Sequence, residues 1–301
     1  MSGRQNLREI RGVARYESRR VLSSARLRLL LAALAMLVHL YASPIRAFSA
    51  AFDERVSPLP LFVGLTGTNA SQNLLHLLWI YLICDAPFVD AAHTYVLLRC
   101  GRRNHMLGVM AYLLLCSCAY WAAVLLASVL VMAGRLEWSG EWGRVYYSLA
   151  RVYGTGSRLT FQAPLQKLLS APQAAALSFL LQVCCSYALS LLVVLGNRLA
   201  RRLGVLLAVG LVLFDRMFFW FGLPYAWMHA SPVTLANLQA LDLQAASYHP
   251  SLRYALTALS LFALALSAAC LMAACIPREQ AYRRRRARST GSTGGENRRP
   301  A

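Results

Sequence analysis

Long apolar runs alternate with short polar segments along this chain, and the runs are too long and too even for a half-buried soluble helix. One begins at Leu27 and ends near Pro44, and a second runs from about Asn69 to Asp85. Four more follow: Met106 to Ala133, Gln173 to Gly196, Leu203 to about Pro224, and Leu252 to Ile276. About 20 helical residues at 1.5 Å each cross a hydrocarbon layer of about 30 Å. The pattern therefore predicts an all-α, polytopic membrane protein with six transmembrane helices, occupying residues 27–276.

The polar segments are patterned too. Arg4, Arg8, Arg11, Arg15 and Arg19 step along one helical face, and Leu7, Ile10, Val13, Ala14 and Val21 fall largely on another. Residues 1–26 therefore predict an amphipathic interfacial helix on an anionic leaflet, with a solvated charged leader as the alternative. Residues 46–66, carrying Pro58 and Pro60, read as a loop on the far side. Residues 134–172 hold Trp138, Trp142, Tyr146, Tyr147 and Tyr153, the composition of an interfacial belt. SPVTLANLQALD at 231–242 predicts a short helix at the outer interface. Ala119, Ala123 and Ala127 make a small-residue stripe for close helix packing. Residues 277–301, with four arginines at 283–286, read as a disordered basic tail.

Between the second and third runs lies DAPFVDAAHTYVLLRCGRRN, Asp85 to Asn104. Pro87 lacks a backbone donor and clashes with the preceding turn, so the second span should end near Asp85. Phe88 to Leu98 then reads as a short interfacial helix. A straight helix through Leu98 would instead hold Asp85, Asp90 and His93 at membrane depth, where charge is expensive.

Charge gives the orientation. Eight arginines lie at or before Arg28, three at 99–103, three at 198–202 and eight beyond Ile276, which is 22 of the 31 basic residues. The positive-inside rule makes that side cytoplasmic, with both termini there, in a multi-pass plasma-membrane protein. The net charge of +19 flanks apolar runs rather than forming a nucleic-acid surface, so no nucleic-acid partner is expected. Only 14% of residues are charged, against about 25% in soluble domains.

Candidate chemistry is sparse. The eight cysteines form no CxxC pair, and seven lie in apolar runs, so they read as small buried hydrophobes. HExxH, GxSxG and GxxxxGK[ST] are all missing, and Lys167 is the sole lysine. Asp90 and His93 share a helical face without a third metal ligand. No catalytic or metal site is expected. Asp215-Arg216 is the one charged pair deep in an apolar run, about 18 Å from Leu203. It reads either as part of a translocation path or gate, or as a structural bridge between spans.

APFVDAAHTYVLLRCGRRNHMLG at 86–108 and HASPVTLANL at 229–238, with the basic leader and six runs, resemble the membrane-spanning subunits of type-2 ABC exporters. The likeness covers nearly the whole chain by architecture, although His105 stands where an aromatic residue is common. The resemblance implies a half-transporter that pairs with a second, identical or homologous, permease subunit. It also implies a cytosolic ABC ATPase that supplies ATP hydrolysis, since this chain holds no cofactor of its own. Residues 1–26 would be the connecting helix and 87–104 the coupling helix. Pro87, Phe88, Val89, Asp90, His93, Arg99, Arg102 and Arg103 would then meet the ATPase. Three other readings stay open: an ion-driven secondary transporter, a membrane enzyme using Asp85, Asp90 and His93, and a non-transporting scaffold or immunity protein.

Overall fold

A computed structural model describes residues 3–87, 93–151, 158–221, 225–244 and 248–275, without the side chains of residues 3–4, 93–94, 216, 218–220 and 225. The tail from 277 lies outside these residues. Among the described residues the chain is helical, and the only β pairing is two isolated bridges, Val56 with Leu136 and Asp242 with Ser251.

The amphipathic leader forms α1, Gly3–Leu22, and Ser24 then caps α2, Ala25–Ala51, by accepting from the Leu27 N–H. α2 runs straight through Pro44, so the expected end there is corrected. Pro44 has no N–H for the Leu40 carbonyl, and the Ser43 hydroxyl donates to it instead at 3.1 Å. The loop expected at 46–66 is corrected as well. It contains a buried helix, α3, Leu59–Gly67, with Pro58 and Pro60 at its start, where a missing N–H costs nothing.

α4, Asn69–Ile83, follows after a break at Thr68, whose backbone is extended. α5, His93–Val131, is bent at Gly101. α6, Gly143–Arg151, and α7, Ala163–Leu168, pack in the long connection to α8, Ala171–Leu199, which opens on a capping box of Ser170 and Gln173. α9 is Leu203–Phe221 and α10 is Pro232–Ala236, flanked by 3₁₀ turns at Tyr225–His229 and Leu238–Ala240. α11 is Leu252–Cys275.

Four helices, α2, α5, α8 and α11, are long and apolar enough to cross a membrane. α8 is the central post. Its apolar window is 67% buried, against 17% for α11, so most of the remaining apolar surface suits lipid. Contacts order the other elements along α8. Thr66 meets Gln182, Trp79 meets Ser190, and the Cys84 carbonyl meets Asn197 at its end. α3 and α4 thus form one broken path along α8 from Gln182 to Asn197.

The bundle has two unlike ends. A basic end gathers the start of α2, the end of α4 and the α8–α9 turn. A loop end gathers the end of α2, residues 134–151 and 158–170, and residues 225–244 and 248–251. There Arg135 donates to the Ser49 carbonyl, Arg144 bonds Glu54, and Trp142 donates to the Leu169 carbonyl. Trp142 and Tyr146, expected in an interfacial belt, are buried inside this cap, while Trp138 is exposed. Tyr153 lies outside the described residues.

Candidate functional site

At the basic end α4 stops at Ile83, and Asp85 emerges to meet Arg26 at 2.5 Å. The same guanidinium lies 3.3 Å from the Cys84 sulfur. A helix end leaves carbonyls without intrahelical donors. Here Asn197 supplies both N–H groups of its amide, one to the Cys84 carbonyl at 3.1 Å and one to the Ala86 carbonyl at 2.7 Å. The exit of α4 is thereby tied to the first turn of α2 and the last turn of α8. Pro87 follows, half-buried.

Phe88, Val89 and Asp90 lie outside the described residues. Helix is seen from His93, whose side chain also lies outside the description, rather than from Phe88. It runs to Cys100 and bends at Gly101, with φ 75° and ψ 158°. That backbone region is essentially reserved for glycine. Arg99, Arg102 and Arg103 are exposed around the bend. Tyr95 and Leu98, one turn apart on this short helix, are 76% and 80% exposed.

Beyond the bend, α5 carries α1 along its flank. Asn104 donates to Glu9 at 2.7 Å and to Asn6 at 3.3 Å. One helical turn on, Gly108 lets α1 approach so closely that a Cβ there would sit 2.6 Å from that of Val13. Val13, Ala14, Glu17 and Val21 are buried. Part of the apolar face, at Val13, Ala14 and Val21, is therefore covered, while Leu7 stays exposed. Arg8, Arg11, Arg15 and Arg19 remain outside.

A second cluster fills the interior. Residues 231–239 are buried throughout, and they meet the Thr68 break. The last turn of α3 leaves carbonyls in need of donors: the Thr68 N–H takes that of Gly64 at 3.0 Å, and side chains reach its neighbours. Gln239 donates to Val63 at 3.3 Å, Ser71 to Leu65 at 2.7 Å, Gln182 to Thr66 at 3.3 Å and Asn237 to Gly67 at 2.9 Å. Gln182 also holds the Ala236 carbonyl at 3.1 Å, and Gln72 holds that of Val233 at 2.9 Å. Lower on α8, the Trp121 indole donates to the Ser186 hydroxyl at 2.8 Å and the Trp79 indole to the Ser190 hydroxyl at 3.0 Å. His76 lies 3.5 Å from Ser186.

Asp215 is buried on α9 and accepts a short hydrogen bond from the Thr234 hydroxyl, which fastens α9 to the inserted segment. The side chain of Arg216 lies outside the description. Sequence reasoning singled out Asp215 and missed Gln72, Gln182, Asn237 and Gln239. Their signal was present as amides inside or beside apolar runs, where a polar group is costly unless bonded.

The eight cysteines are all free thiols, and only Cys185 and Cys270 are buried. No group of three or more His, Cys, Asp or Glu residues comes together among the described residues. No protein-family model, curated protein or solved structure matches the chain.

Proposed function

We propose that the chain is the membrane-spanning subunit of an ATP-driven exporter of the type-2 ABC class, working as a dimer with a cytosolic ATPase. In this reading α2, α3–α4, α5, α8, α9 and α11 are the six spans. The basic end, with both termini, faces the cytoplasm of a plasma-membrane protein. The path α3–α4 covers residues 59–83 and α9 has 19 residues, which at 1.5 Å per residue gives roughly 37 Å and 28 Å. α1 is the connecting helix, and the 93–100 helix with its approach is the coupling element.

One observation carries the reading. Arg26 and Asn197 hold the end of α4, and the 93–100 helix, set off from the rest of α5 by the Gly101 bend, presents Tyr95 and Leu98 bare. Exposed apolar pairs ringed by arginine suit burial in a partner. The test is co-purification of a Walker-motif ATPase encoded beside this chain, comparing Tyr95→Ala/Leu98→Ala with Arg102→Ala/Arg103→Ala. The apolar pair is expected to abolish association, whereas the exposed arginines mainly change its salt dependence. Equal retention of the ATPase by both variants removes the coupling role.

The Thr68 break favours a second reading, since discontinuous helices line ion sites in secondary transporters. Against it, the carbonyls that such a site would offer are already bonded by Gln239, Ser71, Gln182 and Asn237. Uptake or extrusion driven by an ion gradient without ATP would restore this reading.

A further inference from the structure

α2 is long and apolar enough to cross a membrane, yet only 33% of its apolar window is buried inside the bundle. Leu30, Leu34, Val38, Tyr41 and Ile45 face inward. The opposite face is exposed and centres on His39. Arg28 and Arg46, exposed at its two ends, stand about 27 Å apart along the helix, close to the roughly 30 Å of a hydrocarbon layer. His39 lies between them, about 17 Å from Arg28 and about 10 Å from Arg46. Among the described side chains, no other imidazole, carboxylate or guanidinium is exposed in the middle of a span.

An ionisable side chain is costly against lipid, and inside membranes such groups face a bundle interior or a water-filled cavity. Lipid is thus the wrong cover for this face, and the residue one turn on points to the right one. Ser43 is exposed, and its hydroxyl donates to the Leu40 carbonyl at 3.1 Å, which leaves its oxygen to accept. A neutral imidazole brings one donor and one acceptor. The face therefore holds both halves of a hydrogen bond and complements itself, as a two-fold interface between identical chains requires. Ala32, Ala35 and Ala47, exposed beside it, are small enough to let two backbones come close. We infer that this face of α2 is where two copies of the chain meet, each His39 donating to Ser43 of the other copy.

The inference rests on the dimer of the exporter reading and gives that dimer a face. ATP and the ATPase play no part in the contact itself.

The test places single cysteines at Ala32 or Ala35 in the purified, cysteine-free full chain in lipid vesicles, so that His39 and Ser43 stay in place. Oxidation with copper phenanthroline is expected to link both variants into dimers. Leu207→Cys on α9 and Leu261→Cys on α11, although exposed, should stay unlinked. His39→Leu should raise the dimer dissociation constant roughly eight-fold in Förster transfer between labelled chains, the loss of two average interhelical hydrogen bonds, at unchanged helix content. Linkage at Leu207 or Leu261 as strong as at Ala35, or an unchanged dissociation constant for His39→Leu, overturns the inference. So does reaction of Ala35→Cys with a charged thiol reagent in place of linkage, which would make the face the wall of a water-filled path. Dimers that retain a candidate ATPase without linkage at Ala32 or Ala35 sink this face and leave the exporter reading standing. Chains that stay monomeric remove both.

Discussion

Single residues at the basic end do unequal work, and magnitudes rank them. Arg26 and Asp85 are close, but their side chains are 40% and 58% exposed, and such pairs contribute about 0–1 kcal/mol. Asn197 instead satisfies two carbonyls at the end of α4, and each buried group left unbonded costs about 1–3 kcal/mol. Asn197→Ala is therefore expected to lower the melting temperature well beyond Asp85→Asn, as read in matched thermal unfolding of the purified protein. Equal shifts would contradict the ranking. Gly101 acts through its backbone alone, because nothing lies within 4 Å of the position where a Cβ would stand. Ala there would have to hold a conformation costing about 1–3 kcal/mol, so α5 is expected to straighten. Spin labels at Tyr95 and Leu22, both exposed, should report a changed distance in Gly101→Ala. An unchanged distance with an unchanged melting temperature would show the bend to be indifferent to glycine. At this scale the sequence was legible where a residue breaks a local rule, as Pro87 and Asp215 do. The interior amides were not legible, because their partners are backbone carbonyls brought from elsewhere in the chain.

Elements show where close approach and helix breaks were hidden. Arg202, with φ 65°, turns the chain from α8 to α9, and the two helices then touch backbone to backbone. A Cβ on Gly204 would lie 2.2 Å from the Val193 carbonyl oxygen, and no flexible side chain is there to yield. Gly204→Ala is expected to disrupt the hairpin and abolish well-behaved protein in size-exclusion chromatography, whereas Gly210→Ala, in open space, should be silent. Thr234 donates to a buried carboxylate, and a hydrogen bond to a charged group is worth about 1.5–3 kcal/mol. Thr234→Val should lose stability on that order in denaturant unfolding. Asp215→Asn, which keeps an acceptor, should lose less. The long runs at α2, α5, α8 and α11 were plain from hydropathy. α3 was not, because Pro58 and Pro60 read as loop formers although they serve at a helix start. The inserted segment at 231–240 was recognised as a helix, but its burial was invisible. Burial there depends on Gln72 and Gln182 reaching across from α4 and α8.

For the whole molecule, the distribution of arginine and the two unlike ends bear on the same claim, a six-span protein with its basic end inside. On a cysteine-free background, single cysteines at Asp53 and Gly140 should label from outside, and cysteines at Arg102 and Ala200 only after permeabilisation. All four positions are exposed. Labelling of Arg102 from outside would reverse the orientation. The central claim is that ATP hydrolysis by a partner enters this chain through the helix that carries Tyr95 and Leu98. It is tested most directly by isolating the chain with a candidate Walker-motif ATPase in nanodiscs and measuring vanadate-sensitive ATP hydrolysis. The expected result is hydrolysis that co-elutes with the wild-type chain and is lost, together with the ATPase, from the Tyr95→Ala/Leu98→Ala variant at an unchanged melting temperature. Full, vanadate-sensitive activity retained by that variant would contradict it.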